Sequence, residues 1–264
     1  MEKKIVVFSF DDGRKDTYTN SVRILKKYGF TATIHVATDF INNPEKYYDQ
    51  FISADGKAMT KEEIVDCYNN GFEITSHGDT HINEANDFEN SIKLLKEWGV
   101  INENFIGFSS PNSKLNEKNL ANMLEVFDRN HLKYIRSGIK IREKSLLYKL
   151  LYVIQKITKS RFLYYMLNKE AVIKKGSNYF IQAISVKSYN TISQLKYLID
   201  KTPVGNVVIL LFHSVLYKYE KGYSKDDWYF DAQEFERFCA YLSEKKERVE
   251  VMTISNALRA LEIK

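Results

Sequence analysis

The strongest constraint on the fold is an alternation. Short apolar runs recur along the chain: "IVVFSF" (5–10), "TATIHVA" (31–37), "FEITSH" (72–77), "NFIGFS" (104–109), "YIRSG" (134–138), "YFIQAISV" (179–186), "VVILLFHSV" (207–215) and "VEVMTI" (249–254). Between them lie helical patterns at about 14–28, 60–70, 87–98, 116–130, 191–201 and 232–246. Several runs are almost wholly apolar, as befits parallel strands covered on both faces. In "DAQEFERFCAYLSEKK" the spacing puts Phe235, Phe238, Cys239 and Leu242 on one helical stripe. The rhythm predicts parallel βα repeats, closed as a barrel or open as a sheet. With 264 residues and neither linker nor internal repeat, a single α/β domain over 1–264 is expected.

One segment breaks the rhythm. Residues 144–169, "KSLLYKLLYVIQKITKSRFLYYMLNK", hold six basic residues and no acidic one. They predict one or two helices with a wide apolar face, an insertion reaching to about 175. Three readings stand: a cap on the fold, a peripheral contact with an anionic membrane surface, or a dimer contact. The chain's net charge of +5 permits an acidic partner without calling for nucleic acid. The oligomeric state is left open. Cys67 and Cys239 form no spaced motif and read as reduced thiols. The apolar run behind "MEKK" is too short for a signal-peptide core, and no stretch reaches the roughly 18 apolar residues of a membrane span. The expectation is a cytoplasmic protein, at the inner membrane surface if the insertion docks there.

In parallel α/β folds the chemistry gathers at the C-terminal ends of strands. Asp11 and Asp12 end the first run, "SHGDTH" (76–81) ends the third, "SSPN" (109–112) ends the fourth, and His213 lies near the end of the seventh. Two adjacent carboxylates and three of the five histidines thus map to one rim. His77 and His81, four apart, reach one side of a tight loop or helical turn. A carboxylate with two histidines suits Zn²⁺ or a similar divalent ion, with positions left for water or substrate.

The ordered set "FSFDDG", "SHGDTH", "FSSPN", "LLFH" resembles the polysaccharide deacetylase family, the NodB-homology group or carbohydrate esterase family 4. The resemblance implies a distorted, incomplete (β/α) barrel. It implies a hydrolase that removes an N-acetyl group from an amino sugar in a glycan or lipid-linked saccharide, using a metal-activated water. On that resemblance Asp12, His77 and His81 hold the metal, zinc first and cobalt or nickel next. Asp11 is the general base and His213 the general acid. Pro111 and Asn112 belong to the oxyanion side, and Leu211 lines the acetyl pocket. Trp228, in "WYFD", is a candidate sugar platform. His35 reads as a core residue or a support behind the site, and Asp79 as a loop residue or a support for a histidine.

Two departures stand out. The family's third motif carries an Arg that orients the base, and here Ser109 and Ser110 stand in its place. A fourth-motif Asp that tunes the acid histidine has no clear counterpart in "YFIQAISVKS". Two other functions therefore stay open: a deformylase or other small-amide hydrolase, and a carbohydrate-binding relative without catalysis.

Overall fold

A computed structural model describes residues 2–115, 117–129 and 131–262. Seven parallel strands run in chain order around a barrel: β1 (Lys4–Phe10), β2 (Thr33–Val36), β3 (Glu73–Ser76), β4 (Ile106–Ser109), β5 (Leu132–Gly138), β6 (Phe180–Ser185) and β7 (Val207–Phe212). β7 returns to β1, pairing Ile5 with Val207 through to Phe10 with Phe212, so the sheet closes. This settles the choice between barrel and open sheet. The closure is uneven. β2 reaches β1 only at Ser9 and Phe10, and the freed lower edge of β1, Lys4 to Val6, pairs instead with β10 (Val249–Val251).

Around the barrel lie α1 (Arg23–Lys27), α2 (Thr38–Asn42), α3 (Lys61–Asn69), α4 (Ala85–Glu97), α5 (Glu117–Arg129), α6 (Leu146–Thr158), α7 (Arg161–Asn168), α8 (Ile192–Lys201), α9 (Ala232–Glu244) and α10 (Ile254–Ala260). The outer residues, 116 and 130, of the helix expected before β5 lie outside the described ones. α3 and α8 each open with a reciprocal capping box, from Thr60 to Glu63 and from Thr191 to Gln194. Two boundaries differ from the sequence expectation. The first helix begins as a π-helical segment at Thr17–Val22. The run 207–215 breaks at His213, after which β8 (Ser214–Leu216) pairs with β9 (Tyr229–Asp231). A continuous strand would have turned His213 into the ladder.

Side-chain alternation divides the residues of β1 between two environments. Val6, Phe8 and Phe10 face the helices, where the Phe8 ring meets Phe235 at 5.3 Å and Phe238 at 6.1 Å. Ile5 and Val7 face the barrel interior with Ile181, Ala183 and Ile209, closed from below by Ile254 and Leu258 of α10. The next positions on that inner face are Ser9 and Asp11. The interior therefore changes from apolar to polar as it rises toward the rim.

Tyr134 crosses this interior. Its hydroxyl lies 3.2 Å from Glu73 and 3.4 Å from Nε2 of His35. Gly107 makes room for the ring, since a Cβ there would come within 2.0 Å of it. Both cysteines are buried and free. No helix among the described residues is long and apolar enough to cross a membrane.

Candidate metal and catalytic centre

The loop after β3 brings His77 and His81 together. Asp87, in the first turn of α4, accepts the backbone N–H groups of Asp79 at 2.9 Å, Thr80 at 2.8 Å and Ile82 at 3.3 Å. Gly78 allows that approach, because any Cβ would meet an Asp87 oxygen at 2.4 Å. The loop leaves His81 with a left-handed φ of 63° and sets the two imidazoles 4.7 Å apart. Asp12, also left-handed at φ 75°, turns its carboxylate toward them. Its Oδ1 lies 3.4 Å from Nε2 of His77 and 3.6 Å from Nε2 of His81.

These atoms fit a divalent cation. One donor atom from each of Asp12, His77 and His81 falls within 4.8 Å of the others, and all three residues are buried. Nδ1 of His77 donates to the Ser109 carbonyl at 2.8 Å, so its Nε2 carries the free lone pair. The Gln50 side-chain amide meets Nδ1 of His81. Oδ1 of Asp12 is buried and has no hydrogen-bond partner among the described residues. A buried carboxylate oxygen without a donor is costly, and an ion at this point removes the cost.

Each carboxylate has its own arginine. Arg14 donates from Nε to Oδ2 of Asp12 at 2.8 Å, and its other end is fixed by Ser53 at 2.6 Å and Ser214 at 3.0 Å. That leaves Oδ1 of Asp12 as the free oxygen. Arg136, on β5, bonds Oδ1 of Asp11 and the Ser109 hydroxyl and is 1 % exposed. An arginine thus reaches Asp11 from the neighbouring strand, past Ser109. Ser109 and Arg136 are register partners, so a small side chain on β4 gives way to a long one on β5.

Burial alone would push Asp11 up, but Arg136, His77 and His35 outweigh it and hold the carboxyl at about 2. Asp12 is held far below the usual carboxylate range, again against burial, by Arg14 and His77. Both are therefore ionised, side by side, near neutral pH. Burial and the neighbouring His77 lower His81 to about 3, which keeps it in the neutral, ligating form. Burial also works to lower His77, but Asp11 and Asp12 overcome it and draw it up.

His213 is half-buried on the same cleft, and desolvation lowers it to about 4. Its Nδ1 has no partner among the described residues, so no carboxylate stands where the family's tuning Asp would be. Its ring packs instead on Trp228 at 4.5 Å, and the Lys187 ammonium lies 3.3 Å above the indole. Burial lowers Lys187 to about 8.

The cleft has a volume of about 980 Å³ and is lined by Asp11, Asp12, His77, His81, Asn112, Leu211, His213 and Trp228. Pro111 lies beneath it, buried, with its carbonyl accepting from Asn83 at 2.9 Å. His35 supports Asp11 from below, with Nδ1 3.6 Å from Oδ1. Asp79 does not hold a histidine; it accepts from the Thr38 hydroxyl at 2.6 Å. Tyr148, Tyr152 and Gln155 of α6 form the wall opposite the rim.

Residues 1–126 match the family model for polysaccharide deacetylases, as the first three motifs led one to expect, and "LLFH" lies beyond the matched residues. Among curated proteins no match is found. Three solved structures share the fold at low identity. The Xyl-CE4 domain of a multidomain xylanase from the hindgut metagenome of Trinervitermes trinervoides aligns with a TM-score of 0.53 and 14 % identity, covering 100 % of this chain and 93 % of that one. Peptidoglycan deacetylase PdaC from Bacillus subtilis aligns at 0.51 and 12 %, covering 98 % and 92 %. A family 4 acetyl xylan esterase from Clostridium thermocellum, in complex with a cobalt ion, aligns at 0.51 and 15 %, covering 98 % and 93 %. The barrel is thus of the NodB or polysaccharide deacetylase type.

Proposed function

We propose that this polysaccharide deacetylase-like barrel is one catalytic domain, a metal-dependent hydrolase that removes the N-acetyl group of an amino sugar. The observation that carries the reading is the divided carboxylate pair. Arg14 turns the free oxygen of Asp12 toward two histidine Nε2 atoms, while Arg136 holds Asp11 aside as a separate, ionised group. A binding module has no use for that division.

Asp12, His77 and His81 are the residues that would hold the metal, and their O and N donors suit zinc, with cobalt or nickel next. When bound, such an ion acidifies a water and polarises the acetyl carbonyl. The rest falls to the chain's own groups. Asp11 accepts the proton of the attacking water. A carboxylate near 2 is a weak base in bulk, so it is matched only to an acidified water. Leu211 offers an apolar wall to the acetyl methyl, and the backbone around Asn112 offers a donor to the developing oxyanion. His213, which desolvation lowers to about 4 and so holds neutral near pH 7, has to take up a proton during turnover before it passes one to the departing amine, because a neutral amine leaves and an amide anion does not. Trp228 offers its ring to a sugar face at the cleft edge.

Acetate release from N-acetylated oligosaccharides tests the reading. Asp11→Asn should lower turnover roughly 10²–10⁴-fold while the metal stays bound, whereas His77→Ala should lose both. Full activity in Asp11→Asn would sink the assigned roles. Release of formate from N-formyl sugars, with none of acetate from N-acetyl ones, would move the site to the deformylase reading. Sugar binding without turnover by metal-loaded protein would make it a binding relative.

A further inference from the structure

The insertion between β5 and β6 is built the wrong way round for a helix in water. A surface helix turns its apolar stripe to the core and its polar face to solvent. On α6, Tyr148, Tyr152 and Gln155 point inward. The Tyr148 hydroxyl bonds the Leu167 carbonyl at 2.9 Å, the Tyr152 hydroxyl meets that of Tyr189, and Gln155 is 1 % exposed. At about 100° per residue, Leu146, Leu150, Val153 and Ile157 fall on one stripe opposite those three. That stripe faces solvent, with Leu146 84 % and Ile157 74 % exposed. α7 adds Phe162 and Met166, also exposed.

The charge along this segment is one-sided, although Lys156 and Lys144 meet Asp227 and Glu170 from outside it at 3.0 and 3.9 Å. Residues 144–169 hold six of the chain's 39 basic residues and none of its 34 acidic ones. Outside them the chain is balanced, 33 basic against 34 acidic, so the insertion carries the entire positive excess. A second copy is a poor occupant for such a face. A two-fold contact lays the same patch on itself and brings lysines against lysines. An anionic bilayer supplies both needs, an apolar layer for the stripe and negative headgroups for its basic surround.

We propose that α6 and α7 form a membrane-docking face that lies on the surface of an anionic bilayer without crossing it. The inward face of α6 is a wall of the catalytic cleft, so docking sets the cleft about one helix diameter, roughly 10 Å, above the contact. That height suits an N-acetyl sugar carried on a lipid anchor, a consequence that rests on the function proposed above; the docking itself does not.

Co-sedimentation with vesicles tests the docking without reference to turnover. Wild-type protein at low salt should pellet with vesicles of phosphatidylcholine and phosphatidylglycerol, and at least about tenfold less with phosphatidylcholine alone. Raised salt should release much of it. The triple variant Leu146→Gln, Leu150→Gln, Ile157→Gln should bind anionic vesicles roughly tenfold or more weakly, with unchanged melting temperature and unchanged acetate release from a soluble oligosaccharide. Wild type left in the supernatant with anionic vesicles overturns the proposal, as does a triple variant that binds equally well. A solution dimer that the triple variant dissolves assigns the face to a second copy instead. Loss of acetate release in wild type that still pellets would overturn the function and leave the docking standing.

Discussion

The rim of the barrel and the inserted helices obey opposite rules. At the rim, charged groups are buried and each is answered: Asp12 by Arg14, Asp11 by Arg136, and the 77–82 loop by Asp87. On the insertion, aliphatic groups are exposed and nothing among the described residues answers them. A buried ion pair adds little net stability over an apolar core, yet breaking one is severe. An exposed leucine costs the fold almost nothing to lose. The rim should therefore be fragile to substitution and the stripe indifferent, and the stability of the two regions reports the difference directly.

The largest effect is expected at the two arginines. Arg136→Met leaves Asp11 buried without its partner, a loss of about 3–5 kcal/mol in unfolding free energy. Turnover should fall with it, while metal content, measured on the folded protein, stays near wild type. Arg14→Met should do the reverse in one respect. It frees Oδ2 of Asp12, so metal affinity should drop roughly 10–100-fold, as for other groups that orient a ligand. Arg136→Lys should restore part of the stability and less of the turnover, because both bonds, to Asp11 and Ser109, come from one terminal nitrogen, Nη2, whose position the rigid guanidinium fixes and the flexible lysine stem does not. Equal metal loss in Arg14→Met and Arg136→Met would erase the division between the carboxylates.

A smaller effect belongs to Asp16, which accepts the Val215 N–H at 2.7 Å behind Arg14. Burial raises its carboxyl from 3.8 to about 7, with Arg14 pulling the other way. The folded chain then holds a proton that the unfolded chain has already released. Stability should fall as pH rises from about 4 to about 7 and level off above that. Asp16→Asn keeps an acceptor for Val215 and removes the titration. Melting temperatures of the two proteins at about pH 5 and about pH 8 decide the matter: wild type should lose more on going up than the variant does. An equal loss in both would place the pH dependence elsewhere.

The sequence made the parallel βα alternation legible because strand periodicity and helix spacing survive in it, but periodicity left closure open, and only the family resemblance pointed to a barrel. The sequence also made Asp11, Asp12, His77, His81 and His213 legible because each sits where a strand ends. Arg136 was hidden for a physical reason. Its partner lies 125 positions away, and "YIRSG" reads only as a strand with a polar interruption. The available signal was its parity: Ile135 faces the helices, so Arg136 faces the barrel interior, where a cation must be paired. Arg14 follows the acidic pair after one glycine but looked like the start of a surface helix. The break at His213 depends on β9, a strand of three residues too short to register as a pattern.

The smallest expected effect is a single Leu150→Gln. Leu150 is 56 % exposed on the outer stripe of α6, so little apolar surface returns to water when it is replaced. Glutamine is nearly as good a helix former as leucine, so propensity changes little as well. The change in unfolding free energy should stay within about 0.5 kcal/mol. Tyr152→Phe, two positions on, is the matched control. It deletes one hydroxyl, but that hydroxyl faces Tyr189 on the inner side, and its loss should cost about 1 kcal/mol. Urea melts of the two variants compare the helix's two faces at equal chemical scale. If Leu150→Gln proved the more damaging, the stripe would be packed in solution and the outward apolar face would not exist as described.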